Sequence, residues 1–410
     1  QFVCSHFETL LKKEYEDSYI VFPPESMDSQ LKHSIEMVKK NQLPLGGIKF
    51  LPNLRYLLKR ETSYRDEFIK DLANICDVYI NCAFGTSHRE TRSIIKLPNL
   101  MKKRNKLAVA GMLLNEEILR LGELAQRIIK EPEHTVFIVG GAKVSDKISI
   151  IKQFVQSGIG RIILGGKMVN AFLLYRDLKK DQIKISAKLK AKAGKENNIH
   201  EEVMLAGKII KMAEDKGVEI IFPVDYKVSS DFDSPKFSIS EAPDFNKELQ
   251  LDIGPNSIKK FSEILLNSNV KNIFWNGPLG AFDHPTNKGY AKGSVGIAQS
   301  LFNKCIRNKD SLVVIGGGDT AAIVQQFNLS SIEKEFLKEL NKVIGNNINH
   351  KLFEIKFSDH DLYTLVNYFV TNFFISTGGG ASLVFLESFL KDKGRKSFSQ
   401  YLPATKSLMD

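Results

Sequence analysis

The chain has 410 residues, 43% hydrophobic and 26% charged. That is the balance of a globular protein, and the length argues for two domains, since single cores stop growing near about 250–300 residues. No apolar run is long enough to span a bilayer, and the four cysteines (Cys4, Cys76, Cys82, Cys305) have neither CxxC spacing nor disulfide-frame density. Membrane-span, zinc-ribbon and disulfide-scaffold classes are therefore excluded, and a reducing compartment is expected.

The chain opens on Gln1 inside the apolar stretch Gln1-Phe2-Val3-Cys4, so the natural start, with any targeting peptide, is expected upstream. Apolar runs bounded by turns then alternate with helical patterns, which argues for an α/β fold with parallel sheets. Strands are predicted near Ile20–Phe22, Gly47–Leu51 and Val78–Ile80, with helices over Ser29–Lys40 and Tyr64–Ile75. A long helix is predicted over Met112–Lys130, with Leu113, Ile118, Leu121, Leu124, Ala125 and Ile128 on one side, and Pro132 stops it. It suits an interdomain connector.

Further strands are predicted at Val136–Val139, Arg161–Leu164, Glu219–Phe222, Asn272–Phe274, Leu312–Ile315 and Phe373–Ile375. The formal charge of +11 suits anionic partners, and much of it lies between Lys179 and Lys195. Without interleaved aromatics that stretch reads as a solvated surface insertion, not a nucleic-acid site. The segment Asn328–Asn372 is too long for a loop and reads as a second insertion containing a helix near Ile332–Ile344.

Three glycine-rich turns separate a strand from a helix start: Gly140-Gly141-Ala142-Lys143, Gly316-Gly317-Gly318-Asp319 and Gly378-Gly379-Gly380-Ala381. Such turns aim backbone N–H groups and a positive helix end outward, as a phosphate requires. One alone is equally served by the sterics of a tight βα loop; three together favour a polyphosphate ligand. Lys143 and Lys147, four apart, are expected to share a helix face and neutralise phosphate oxygens. Asp319 and Thr320 fall on a first helical turn, where Asp319 is either a cap or a Mg²⁺ ligand.

The G-x-G-x-x-A spacing there lacks the acidic strand end of a dinucleotide site, because Glu333, Glu335 and Glu339 lie in a helical pattern. The G-x-x-x-x-G-K-[ST] nucleotide signature is absent too, since Met168 follows Gly166-Lys167. Trp275-Asn276-Gly277-Pro278-Leu279-Gly280-Ala281-Phe282-Asp283 follows a strand and reads either as a turn anchored by tryptophan or as a nucleotide wall. In the second reading Asp283 accepts from ribose hydroxyls. His6, Arg55, His88 and Arg89 follow strands in the first part and suggest an anion site.

These segments, in this order, resemble the phosphoglycerate kinase family. The matching stretches are Ser5-His6, Asn53-Leu54-Arg55, Asp77 through Arg89, Gly140 through Lys147, Gly165-Gly166, Pro223-Val224-Asp225, Asp252 through Pro255, Trp275 through Phe282, Gly316 through Thr320, Ser376 through Ser382, and the ending Leu402-Pro403-Ala404 to Asp410.

The resemblance implies two doubly wound, Rossmann-like parallel-sheet domains joined by a hinge helix. Residues 1–111 would form the phosphoglycerate domain, 112–131 the connector, 132–390 the nucleotide domain (insertions near 179–198 and 328–372), and 391–410 a tail returning to the first domain. The family's first strand, with its Asp, Asn and Arg, is expected before Gln1.

It also implies reversible transfer of the acyl phosphate of 1,3-bisphosphoglycerate to MgADP, by a monomer with small-molecule partners in the cytoplasm or an organelle, without nucleic acid or membrane. His6, Arg55, His88 and Arg89 would bind glycerate. Lys143 would contact the transferring group, with Gly317 and Gly379 pointing helix ends at it. Gly141, Ala142, Lys147, Gly165, Gly166, Asn276, Pro278, Asp283, Gly316, Gly318, Asp319 and Thr320 would hold ATP or ADP, Asp319 also serving Mg²⁺. Departures from the pattern (Phe7-Glu8-Thr9 after Ser5-His6, Cys82 after Asn81, Pro52 before Asn53) carry an alternative: a nucleotide-binding relative without turnover.

Overall fold

The computed structural model describes residues 20–21, 36, 48–49, 51, 54, 63–180, 199–234, 236–241, 248–284, 288–324 and 371–409. His6, Arg55, the predicted helix 29–40 apart from residue 36, and nearly all of both insertions lie outside the described residues. The chain divides into two compact units, Gln1–Glu116 with Ser399–Asp410, and Glu117–Phe398.

In the first unit, β1 (Ile20–Val21) pairs in parallel with β2 (Ile48–Lys49). Helix α1 (Ser63–Ile75) precedes β3 (Val78–Asn81), α2 (Leu97–Lys103) and β4 (Leu107–Ala110). Strand β4, absent from the sequence prediction, pairs in parallel with β3. Phe68, Ile69, Leu72 and Ala73 of α1 pack with Leu97 and Met101 of α2, joined by Leu408 of the chain's end. That end is tied down by Ala404 N–H to Ser87 O (3.1 Å) and Ser407 Oγ to Ile94 O (3.1 Å).

Helix α3 (Met112–Lys130) contains the division between the units. Its buried stripe is Leu114, Ile118, Leu121, Leu124, Ala125 and Ile128. Leu113, predicted for that stripe, is 64% exposed; the 4-3-4-3 spacing that keeps one face at 3.6 residues per turn starts from Leu114.

The second unit is built on a parallel sheet. In chain order come β5 (Thr135–Val139), α4 (Ile148–Gln156), β6 (Arg161–Leu164), α5 (Val169–Lys180), α6 (Ile199–Lys216) and β7 (Glu219–Ile221). A three-stranded antiparallel sheet follows: β8 (Tyr226–Ser229), β9 (Ser238–Ser240) and β10 (Leu249–Ile253), in the order β10-β8-β9. The reading of parallel sheets alone missed it, because β9 is short and largely exposed and shows no apolar alternation.

After α7 (Pro255–Leu266) come β11 (Asn272–Asn276), α8 (Lys292–Arg307), β12 (Leu312–Gly316), α9 (Gly318–Val324), β13 (Phe373–Ser376), α10 (Gly380–Asp392) and, in the first unit, α11 (Pro403–Met409).

The six-stranded order is β13-β12-β11-β5-β6-β7, every pair parallel. Central strands β5, β11 and β12 are buried at all five positions, which explains the apolar runs Val136–Val139, Ile273–Trp275 and Leu312–Ile315 within them. On one face Val136, Ile138, Ile273 and Ile315 join Phe261, Leu301 and Phe302 in a single core. On the other, Phe137 stacks on Phe154 at 4.4 Å and on Phe274 at 5.6 Å; truncating such a phenylalanine costs about 3–5 kcal/mol. From β5 the chain steps through β6 to β7 and then returns to β11 on the other side. The winding therefore reverses between β5 and β11, and open α/β sheets place ligands beyond the carboxyl ends at such a reversal.

Candidate active site

Strand register brings Val139, Asn276, Gly316 and Ser376 to neighbouring carboxyl ends of β5, β11, β12 and β13. All three glycine turns leave the sheet here, so the register alone gathers segments about 240 residues apart in sequence.

The glycines divide into two kinds. Gly140 N–H donates to Asn276 O and Gly141 N–H to Pro278 O (both 3.0 Å), Gly165 N–H to Val139 O (2.9 Å) and Gly166 N–H to Leu279 O (3.0 Å). A Cβ on Gly140 would lie 2.1 Å from Pro278 O. These four amides are engaged with neighbouring backbone, which corrects the expectation that the first turn presents bare N–H groups; here glycine permits close approach of two loops. Gly318 and Gly379 (φ +52°) instead have no described atom within 4 Å of an added Cβ, and Gly141 (φ +116°) combines its engaged amide with the same open side. Gly318 and Gly379 stand at the starts of α9 and α10, whose leading N–H groups lack intrahelical acceptors.

Lys143 and Lys147 do not share a helix face, contrary to the prediction. Helix α4 begins only at Ile148, and Lys147 stands at its N-cap. Val144 is fully buried, and a turn closes from Lys147 N–H to Val144 O (3.0 Å). Residues 143–147 are therefore a loop, with Lys143 exposed and Lys147 half-buried.

The ammonium of Lys147 donates to Asn276 Oδ1. Asn276 Nδ2 donates onward to Gly316 O (2.9 Å), and Gly277 N–H donates to Thr320 Oγ1 (2.9 Å). Burial pushes the Lys147 pKa down, opposed by the neighbouring charges of Asp146 and Asp319. Lys147, Asn276, Gly316, Asp319 and Thr320 thus meet at one place, where burial costs the cation part of its solvation.

Asp319 is exposed on the first turn of α9; among the described residues no group of three or more His, Cys, Asp or Glu side chains could enclose a metal. One accessible carboxylate beside phosphates fits Mg²⁺ that arrives largely coordinated by a nucleotide. Ala142 is exposed and Pro278 half-buried in the same loop cluster, while Asp283 is exposed on the turn after β11. Trp275 is no ligand wall: it is fully buried in the core, its Nε1 donating to Gly277 O (2.8 Å).

In the first unit, His88 and Arg89 are half-buried after β3, and Arg89 Nε donates to His88 Nε2 (3.2 Å).

Two acidic residues escaped the sequence reading. Glu117, 5% exposed on the apolar stripe of α3, accepts from Thr377 N–H (2.8 Å) and Thr377 Oγ1 (3.0 Å), fixing the residue before Gly378. A carboxylate at a buried helical position is the signal that could have revealed it. Glu202 accepts from the loop between Lys143 and Lys147; nothing in its local sequence marks it. A cavity of about 640 Å³ lined by Arg176, Phe222 and Lys260 lies at the β7 edge and contains none of the predicted site residues.

The family model for phosphoglycerate kinase matches residues 3–388. The phosphoglycerate kinase of Lactobacillus gasseri is 32% identical over 94% of this chain and 78% of that protein. The Plasmodium falciparum phosphoglycerate kinase is 29% identical over 90% of this chain and 75% of its own. The phosphoglycerate kinase structure from Coxiella burnetii superposes with a TM-score of 0.58 at 25% identity, over 98% of this chain and 79% of that one. The structure from Pyrococcus horikoshii gives 0.61 at 20% identity, a likeness of fold.

The fold is a two-domain α/β one, and the family likeness makes the chain a phosphotransferase with a carboxyl group as acceptor. The chain belongs to the phosphoglycerate kinase family. The alternative of a relative without turnover is not favoured, since the likeness to named kinases runs through nearly the whole chain.

Proposed function

We propose that this chain transfers the acyl phosphate of 1,3-bisphosphoglycerate to ADP, reversibly, giving ATP and 3-phosphoglycerate. The observation that carries this is the meeting of Lys147, Asn276 and Asp319 beside the carboxyl ends of β5, β11 and β12.

In this reading the second unit holds the nucleotide. Gly141, Ala142, Gly165, Gly166 and Pro278 shape its bed, and Asp283 reaches the ribose. Gly316, Gly318 and Thr320 line the phosphates, which Lys147 and Asn276 contact. Lys143 meets the moving phosphoryl group, and the turns at Gly317 and Gly379 aim helix N-termini at it. Little covalent chemistry is asked of the protein: positioning and preorganised positive potential supply the rate. Asp319 would hold Mg²⁺, which supplies charge neutralisation at the phosphates. In the first unit His6, Arg55, His88 and Arg89 hold the phosphoglycerate.

The reading extends to a monomer working in the cytoplasm on small molecules alone. A coupled assay with ATP and 3-phosphoglycerate tests it: turnover that depends on Mg²⁺ and on both substrates is expected, and nucleotide binding without turnover would overturn it.

A further inference from the structure

The loop between β5 and α4 has a fastening that the reaction does not explain. One carboxylate, that of Glu202 on the first turn of α6, accepts from Val144 N–H (2.5 Å), Ser145 N–H (3.1 Å) and Ser145 Oγ (2.5 Å). Both donating residues lie between Lys143 and Lys147. Loop residues outside a helix have no ladder to fix them, so the aim of their side chains depends on whatever satisfies their backbone groups. Here that is an ionised acceptor, whose hydrogen bonds run about twice as strong as neutral ones. Helix α6 in turn packs on α4 and α5, so the fastening joins the loop to rigid elements.

We infer that Glu202 is a positioning residue for phosphoryl transfer: its carboxylate clasps the 144–145 backbone and so holds Lys143 and Lys147 at the spacing the moving phosphate needs. This rests on the function proposed above. Lys147 has a second restraint in Asn276, whereas Lys143 is exposed and, among the described residues, has the loop alone. Loss of the clasp therefore falls mainly on the residue assigned to the transferring group. The expected signature is a fall in kcat larger than any rise in the KM for nucleotide, and none in the KM for 3-phosphoglycerate.

The test compares the native chain with Glu202→Ala, Glu202→Gln and the neighbouring exposed control Glu201→Ala. Steady-state kinetics, thermal unfolding and amide hydrogen exchange are measured on each. Glu202→Ala should lower kcat about tenfold or more, as expected when catalytic groups lose their alignment. Glu202→Gln, which keeps one acceptor oxygen, should retain an intermediate rate, and both variants should lose exchange protection at Val144 and Ser145. Should the alanine variant fail to fold, the glutamine variant carries the test.

Native kcat in the Glu202 variants, or a loss matched by Glu201→Ala, overturns the inference. So does unchanged protection at the two amides. A native chain without turnover refutes the proposed function instead, while the exchange measurement still reports on the clasp.

Discussion

The Lys147 ammonium donates to the side-chain carbonyl of Asn276, whose amide nitrogen donates to Gly316 O. Asn276 therefore couples the loop after β5 to the end of β12 and orients the cation between them. Lys147→Ala should lower kcat/KM by about 100-fold or more, the scale of losing one preorganised charge donor. Lys147→Arg should recover little, because a planar guanidinium cannot replace a point charge on Asn276. Steady-state kinetics of both variants check this.

Burial lowers the Lys147 pKa in the ligand-free protein. The unfolded chain holds this proton more tightly, so charged Lys147 costs folding free energy, and the cost is relieved as pH rises from its lowered pKa towards the unfolded value. A bound polyphosphate reverses the bias by favouring the ammonium. Binding of ADP at alkaline pH should thus take up protons, seen by calorimetry as a binding heat that changes with the buffer's ionisation enthalpy. Lys147→Ala should remove that dependence.

Gly318→Ala and Gly140→Ala should part company. Nothing described lies within 4 Å of a Cβ on Gly318, and alanine is the better helix former by about 1 kcal/mol. Stability should hold or rise while ADP affinity falls, because the methyl takes the space that the proposed function assigns to phosphate. A Cβ on Gly140 meets Pro278 O at 2.1 Å, so that substitution should lower the melting temperature. Thermal unfolding with and without ADP separates the two outcomes.

Thr320 is 1% exposed, and its hydroxyl is the acceptor for Gly277 N–H at 2.9 Å. Thr320→Val keeps the shape and removes the acceptor, which should cost about 1–3 kcal/mol by orphaning a buried N–H. Thr320→Ser should cost less. Denaturant titration measures both.

Arg89→Lys should raise the KM for 3-phosphoglycerate several-fold and leave the KM for ATP unchanged, since a forked donor binds phosphate bidentately. Equal changes in both would remove Arg89 from the glycerate site.

The strands of the six-stranded sheet were legible because strands buried on both faces carry continuous apolar runs, as Val136–Val139 and Leu312–Ile315 do. The glycine turns were legible as motifs, but their division of labour was not. Whether a glycine spares a backbone contact, as Gly140 does, or leaves room for a ligand, as Gly318 does, depends on what another loop brings near. The shared helix face of Lys143 and Lys147 failed for a similar reason. Spacing predicts a helix, yet the buried Val144 and the carboxylate of Glu202 hold those residues as a loop. The antiparallel sheet was missed because short strands are defined by their partners more than by their own residues.

From sequence alone came the two-domain α/β class, the strand–glycine–helix turns, and the kinds of side chain available for phosphate. Those follow from local chemistry: apolar period, glycine's missing Cβ, and the charge of lysine and aspartate. Only the tertiary structure decided which groups meet, bringing Lys147 to Asn276 across 129 residues and Glu202 to Ser145 across 57. Such pairings are set by sheet order and helix docking, which no local segment encodes, because contact free energy depends on neighbours the chain supplies from far away.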